Sequence, residues 1–209
     1  MRMLSAFQPW QPAIGSFLGL IAIFIAAAIG FRLNRRRDEY LRQNEVRSVA
    51  AALYAEILTL RNYAANMANL VAARYEDHGL GRRREEPFNA HFFEMVPMPG
   101  APIYSGLSSE IGKLPANLLL GIVQFHSYYE EARYWLPRLE EKEDRGFSYG
   151  VLHVLHPSLK AVEGIQATLE AIEALAGISP PAVVPDLKRA KNVATWEEEQ
   201  WAEIREQRS

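Results

Sequence analysis

Residues 13–31, AIGSFLGLIAIFIAAAIGF, constrain this chain more than anything else in it. The stretch is nineteen residues long, has no charge and no proline, and carries one hydroxyl. As a helix rising ~1.5 Å per residue it would extend roughly 29 Å, close to the ~30 Å hydrocarbon core of a bilayer. The expectation is a transmembrane helix. Arg32, Arg35, Arg36 and Arg37 follow at once. A basic cluster just beyond an apolar span resists translocation and holds that side in the cytoplasm. Residues 1–12 are therefore expected to be a short extracytoplasmic N-terminus at the inner membrane, in a single-pass arrangement with residues 32–209 inside. Trp10 is placed as an interfacial aromatic, and Pro12 suits a first helical turn.

A cleaved signal peptide is the competing reading, because Ala26, Ala27 and Ala28 supply an A-x-A-like site. Against it stand the length of the apolar run, its weakly basic lead with Arg2 as the one charge, and the arginines behind it. Within the span Gly15 and Gly19 form GxxxG, and Ala26 and Gly30 continue the small-residue face. Such a face lets two helices approach closely and supports a homodimer in lipid. The plain alternative is that Gly and Ala are common in membrane helices. Arg32, Arg35, Arg36 and Arg37 set topology and add affinity for anionic lipid headgroups. Between positions 32 and 47 six arginines face Asp38, Glu39 and Glu45, too much acid for a dedicated lipid sensor.

Nothing stops a helix at the membrane surface. From position 13 to 77 there is no proline, and between Gly30 and Gly79 no glycine. A continuous helix is expected, through a basic juxtamembrane part at 32–45, to the turn at Gly79 and Gly81. Beyond the arginines, Val46, Val49, Leu53, Ile57, Leu60, Ala64, Met67 and Val71 recur at steps of three and four. Ala50, Tyr54, Leu58 and Ala65 widen that stripe, which favours a globular bundle over a two-stranded coiled coil.

The rest of the chain reads as more helix between prolines and glycines. Arg82, Arg83, Arg84, Glu85 and Glu86 make a solvated turn, followed by a short helix over 87–95 that carries Phe88, His91, Phe92 and Phe93. The aromatics cap one end of the bundle; the sharper alternative is a partner-binding patch. A short helix over 103–111 precedes a strongly apolar one over 115–135, expected to be the most buried. Pro137 ends it, and one further helix spans 147–176, closed by Gly177 and Pro180-Pro181. Residues 46–177 form the bundle, 178–187 a stiff proline-rich linker, and 188–209 a polar helix or tail that docks loosely or frays. Trp196 and Trp201 on that tail join Phe88, Phe92 and Phe93 as candidate partner contacts.

Chemistry is hard to find. Cysteine is absent, which excludes disulfides, thiolate metal sites and a cysteine nucleophile. Net charge is −2 over 209 residues, so nothing draws the chain to nucleic acid. No Walker, GxGxxG, H-E-x-x-H or Glu-x-x-His pattern occurs. His153 and His156 are three apart, a spacing that can serve a metal, but Pro157 follows them and they read as surface or cap residues. His126 lies among Phe125, Tyr128, Tyr129 and Glu130 on the most apolar helix. It reads as a core histidine satisfied by a hydrogen bond, or, more sharply, as a pH or ligand switch.

The run PIYSGLSSEIGKLPANLLLGIVQFHSYYEE resembles a pattern in uncharacterised bacterial single-pass membrane-anchored helical proteins with no assigned activity. In that pattern an aromatic precedes an I-G-x-L-P turn and an apolar helix, and the likeness covers about residues 13–136. The resemblance implies an anchored helical architecture and no catalytic residue.

The sequence reading is thus an all-α protein whose N-terminal transmembrane helix continues into a cytoplasmic antiparallel helical bundle. It is not an enzyme, and it has no cofactor and no metal. Its partners are membrane lipids and an unidentified protein held at the cytoplasmic face. A tethered sensor signalling through a dimeric span is the alternative, and an enzyme without a recognisable motif the third.

Overall fold

A computed structural model describes residues 11–78, 88–140, 150–179 and 183–207, with side chains from residue 19 onward and not at His78. The lead containing Trp10, the turn at Gly79 and Gly81 with Arg82 to Pro87, the expected helix start at 147–149 and Pro180-Pro181 lie outside the described residues. What is described is all-helical, with no strand. The chain divides into two units, one ending at Val46 and one running from Arg47.

Helix α1 covers Gln11–His78 without interruption, its first turn holding Pro12. In the first unit every side chain from Gly19 to Gln43 is exposed except Gly30. Leu20, Ile21, Ile23, Phe24, Ile25, Ile29, Phe31 and Leu33 are all open to the surroundings. At about 100° per residue these eight positions fall around the whole circumference, leaving no polar face. Among the described residues, no helix is long and apolar enough to cross a membrane. Residues 13–18 of the apolar run lie outside the described side chains.

The second unit is a helical bundle. The expected stripe on α1 is its spine: Val49, Leu53, Ile57, Leu60, Ala64, Met67 and Val71 are buried, as are Ala50, Tyr54 and Ala65 beside them. Leu58 sits half-buried at its margin, and Val46, the last residue of the first unit, is half-buried. Helix α2 (Ala90–Met95) starts three residues later than expected, because Asn89 caps it by accepting from the Phe92 amide at 3.0 Å. Helix α3 (Pro102–Gly106) is shorter than expected, and a 3-10 turn at Ile111–Lys113 leads to helix α4 (Ala116–Trp135).

Helix α4 packs on α5 (Leu152–Gly164) and α6 (Gln166–Ala176). It is not the most buried helix, contrary to expectation: Leu120, Val123 and Tyr134 are exposed, and α5 buries a larger share of its residues. Its apolar residues cover more of its circumference than its neighbours do. The close approach to α6 requires Gly121, where a Cβ would fall 2.0 Å from Thr168 Oγ1.

The single helix expected over 147–176 is two. Its break is at Ile165, and the carbonyl of Val162 just before it accepts a hydrogen bond at 2.9 Å from Arg61 Nε of α1. A guanidinium inserted from another helix takes the place of the missing intrahelical donor. Gly177 then ends α6 in the left-handed region, at φ 69°.

The tail is firmer than the sequence suggests. Helix α7 (Lys188–Glu206) buries Ala190, Val193 and Ala194 against the bundle. Arg189 pairs with Glu76 at 2.7 Å, Lys191 pairs with Glu163, and Asn69 Nδ2 donates to the Asp186 carbonyl at 2.7 Å. Small residues, not the tryptophans, carry the docking. They let the helix axis come close, while the bulky Trp196 and Trp201 stay at the edge, 39% and 50% exposed.

Candidate functional site

The segment between α2 and α4 builds the most distinctive site. Pro99 to Pro102 is too rich in proline to continue a helix, and the chain runs without helix over 97–101. Tyr129 on α4 holds it there, its hydroxyl donating to the Pro99 carbonyl at 2.7 Å. Burial pushes the Tyr129 phenol well above its ordinary range, so it stays a donor. Glu56 of α1 then caps α3: its two carboxylate oxygens accept the Ile103 amide at 2.6 Å and the Tyr104 amide at 2.8 Å. One buried carboxylate thus satisfies two amides of a helix start and fixes where Tyr104 stands.

Tyr104 stacks on His126 of α4, ring centroids 3.8 Å apart and planes at 20°. Phe125 meets the imidazole edge-on at 5.2 Å. His126 is 4% exposed, and neither ring nitrogen has a hydrogen-bond partner among the described residues. This departs from the expected satisfied core histidine. Loss of hydration pulls the imidazole down to about 4, so it is neutral at ordinary pH. Glu130 does not reach it; Arg133 takes that carboxylate instead, with Nη1 at 2.9 and 3.2 Å from its oxygens.

His126 lies in an open groove of about 690 Å³. Pro99, Pro102 and Tyr104 give it apolar walls, and the Glu130–Arg133 pair supplies both signs of charge.

The other sequence candidates disperse. Phe88 and Phe92 are buried and pack edge-on at 5.3 Å, so they offer no free surface for a partner. Phe93 is half-buried. Trp196 stands against Tyr75, ring centroids 6.3 Å apart. His153 stacks on Trp135 at 4.7 Å, whereas His156 Nε2 faces Glu198 of α7 at 2.8 Å, near enough for an ion pair but not aligned as a hydrogen bond. Among the described residues no group of three metal-ligating side chains exists. Of the small-residue face, Gly19 and Ala26 are exposed and Gly30 half-exposed, and Gly15 lies outside the described side chains. Arg32, Arg35, Arg36 and Arg37 are exposed.

Three buried charged residues escaped the sequence reading: Glu56, Arg61 and Glu173. Arg61, 1% exposed, bonds Val162 and, through Nη2, Gln166 Oε1 at 2.8 Å. Glu173 accepts from the Tyr54 hydroxyl at 2.6 Å, and burial, helped by that bond, pushes the phenol up to about 12. Register held the clue. Arg61 continues the row Leu53, Ile57 at steps of four, and Glu56 lies three after Leu53, so both charges stand on the core face.

With the geometry in place, comparison with protein-family models, curated proteins and solved structures returns no match, and the functional reading rests on the residues themselves.

Proposed function

We propose that this chain is a membrane-anchored helical accessory protein, in which residues 13–31 hold the bundle at the cytoplasmic face of a membrane and the bundle engages a protein partner. One observation carries the reading: from Leu20 to Phe31 helix α1 is apolar and exposed on all sides. A helix of that kind is stable in water only when something apolar surrounds it, and hydrocarbon does so without a specific partner. The described part of the run, 19–31, is about 20 Å of helix, and residues 13–18 supply the remaining length. The exposed arginines at 32 and 35–37 favour the cytoplasmic orientation. Anchorage raises the effective concentration of the bundle near a membrane-bound partner.

The test is fractionation and topology. The protein is expected to stay with membranes after an alkaline wash and to leave them in detergent. Because the chain lacks cysteine, Ser5→Cys and Ser48→Cys give clean labelling sites. A membrane-impermeant maleimide should label the first in intact cells and not the second. Recovery of the unwashed protein in the soluble fraction overturns the reading.

A second reading, a tethered sensor signalling through a dimeric span, draws support from the groove at His126. Crosslinking in membranes decides it: Gly19→Leu should abolish a dimer, and a chain that is monomeric before substitution removes this route.

A further inference from the structure

We propose that the His126 groove is a binding site for a small zwitterion of the apolar amino-acid type. The inference does not depend on how the chain is anchored. It starts from an unbalanced group: a histidine 4% exposed, with both nitrogens unpartnered among the described residues, at the wall of an open groove. Buried polar atoms without partners are costly and rare, and a neutral imidazole offers one donor and one acceptor. The groove volume of about 690 Å³ falls among small-molecule sites.

Charge selects the ligand class. Glu130 and Arg133 are about half-exposed and neutralise one another at the groove. An anion drawn to Arg133 would meet Glu130 beside it, and a cation drawn to Glu130 would meet Arg133. A molecule bearing an ammonium and a carboxylate a few bonds apart satisfies both. Its apolar side chain then lies along Pro99, Pro102 and the Tyr104 ring, and its head group reaches the imidazole.

Tyr104 supplies the means of access. Both nitrogens are buried and the Tyr104 ring covers one face of the imidazole, so the phenol turns aside to admit a ligand. Glu56 holds the main chain of α3 through two amides, and that grip does not involve the Tyr104 side chain. The ring can therefore swing while the backbone stays in place.

Isothermal titration of the full chain in detergent tests this with L-phenylalanine and L-leucine, against phenethylamine and 3-phenylpropionate. Saturable binding of an amino acid is expected, weakened at least about tenfold when either charge is missing. Glu130→Gln, Arg133→Met and His126→Leu should each abolish it, and His156→Leu on another face should not. In the unmodified chain, labelled-histidine NMR should show the amino acid moving the His126 ring signals alone, which keeps the test independent of variant folding. Failure of both amino acids to bind saturably overturns the proposal. So do equal affinity for the singly charged analogues, unchanged binding in the folded variants, and histidine signals that do not move.

Discussion

Replacing His126 by leucine should stabilise the ligand-free protein, and the gain should grow as pH falls. Two effects add. Near neutral pH the substitution removes two buried nitrogens without partners and fills the same space with carbon, worth about 1–3 kcal/mol. The second effect comes from linkage. An unfolded histidine titrates at about 6.5, whereas the folded one is lowered to about 4 by burial. Between those values the unfolded chain takes up a proton that the folded chain refuses, so stability falls as pH drops through this window. Each unit is worth about 1.4 kcal/mol, and the whole interval at most about 3 kcal/mol.

Burial is the sole cause of the shift at His126. Tyr104 from α3 covers the ring, Glu130 and Arg133 on α4 pair with each other, and Glu56 of α1 is engaged with the α3 backbone. Urea unfolding of the full chain in detergent, followed by circular dichroism near neutral pH and near pH 4, gives the comparison. Only the difference between the two proteins matters, since other groups titrate alike in both. The stability gap should widen by about 2–3 kcal/mol towards pH 4. Parallel pH profiles, or a less stable leucine variant at every pH, would show that the imidazole is hydrated or paired and would refute the reasoning.

Three further outcomes follow from the packing. Gly121→Ala should destabilise by about 1–3 kcal/mol despite its better helix propensity, because the new methyl overlaps Thr168, and Thr168→Ala in the same chain should restore much of the loss; thermal melts of both variants check this. Glu56→Gln presents one acceptor oxygen where two are used, so it should cost about 1–2 kcal/mol and speed amide exchange at Ile103 or Tyr104. Arg61→Met leaves the Val162 carbonyl buried without a donor at the α5–α6 break and should cost about 2–3 kcal/mol, read by urea denaturation.

How much of this was legible in the sequence depends on the kind of signal. Periodicity marked the α1 stripe residue by residue, because a core-facing row must recur every three or four positions whatever packs on it. Prolines and glycines placed the ends of α4 and α6 well, since their effects are local. The break at Ile165 was not legible. It needs Arg61, a hundred residues earlier, to satisfy the freed carbonyl, and no local pattern announces a donor from another helix. The α7 docking was misjudged for a related reason: tryptophans draw attention by size, but Ala190 and Ala194 are what allow contact.

The candidate site shows the same division more sharply. His126 stood out as a histidine on an apolar helix, expected to be satisfied by a hydrogen bond, with Glu130 one turn on. What decides its character is Arg133, one helical turn beyond on the same side, which takes the Glu130 carboxylate and leaves the imidazole with nothing. Tyr104 completes the isolation, and its position is set by Glu56 on a third element. The orphaned histidine is therefore the product of two carboxylates each committed elsewhere. Sequence reasoning found the histidine and the carboxylate beside it but not the residues that leave it unpaired, because pairing is a competition among neighbours that only the fold brings together. Where the competition ends with a buried group unpaired beside an open groove, the missing partner is most economically sought outside the chain.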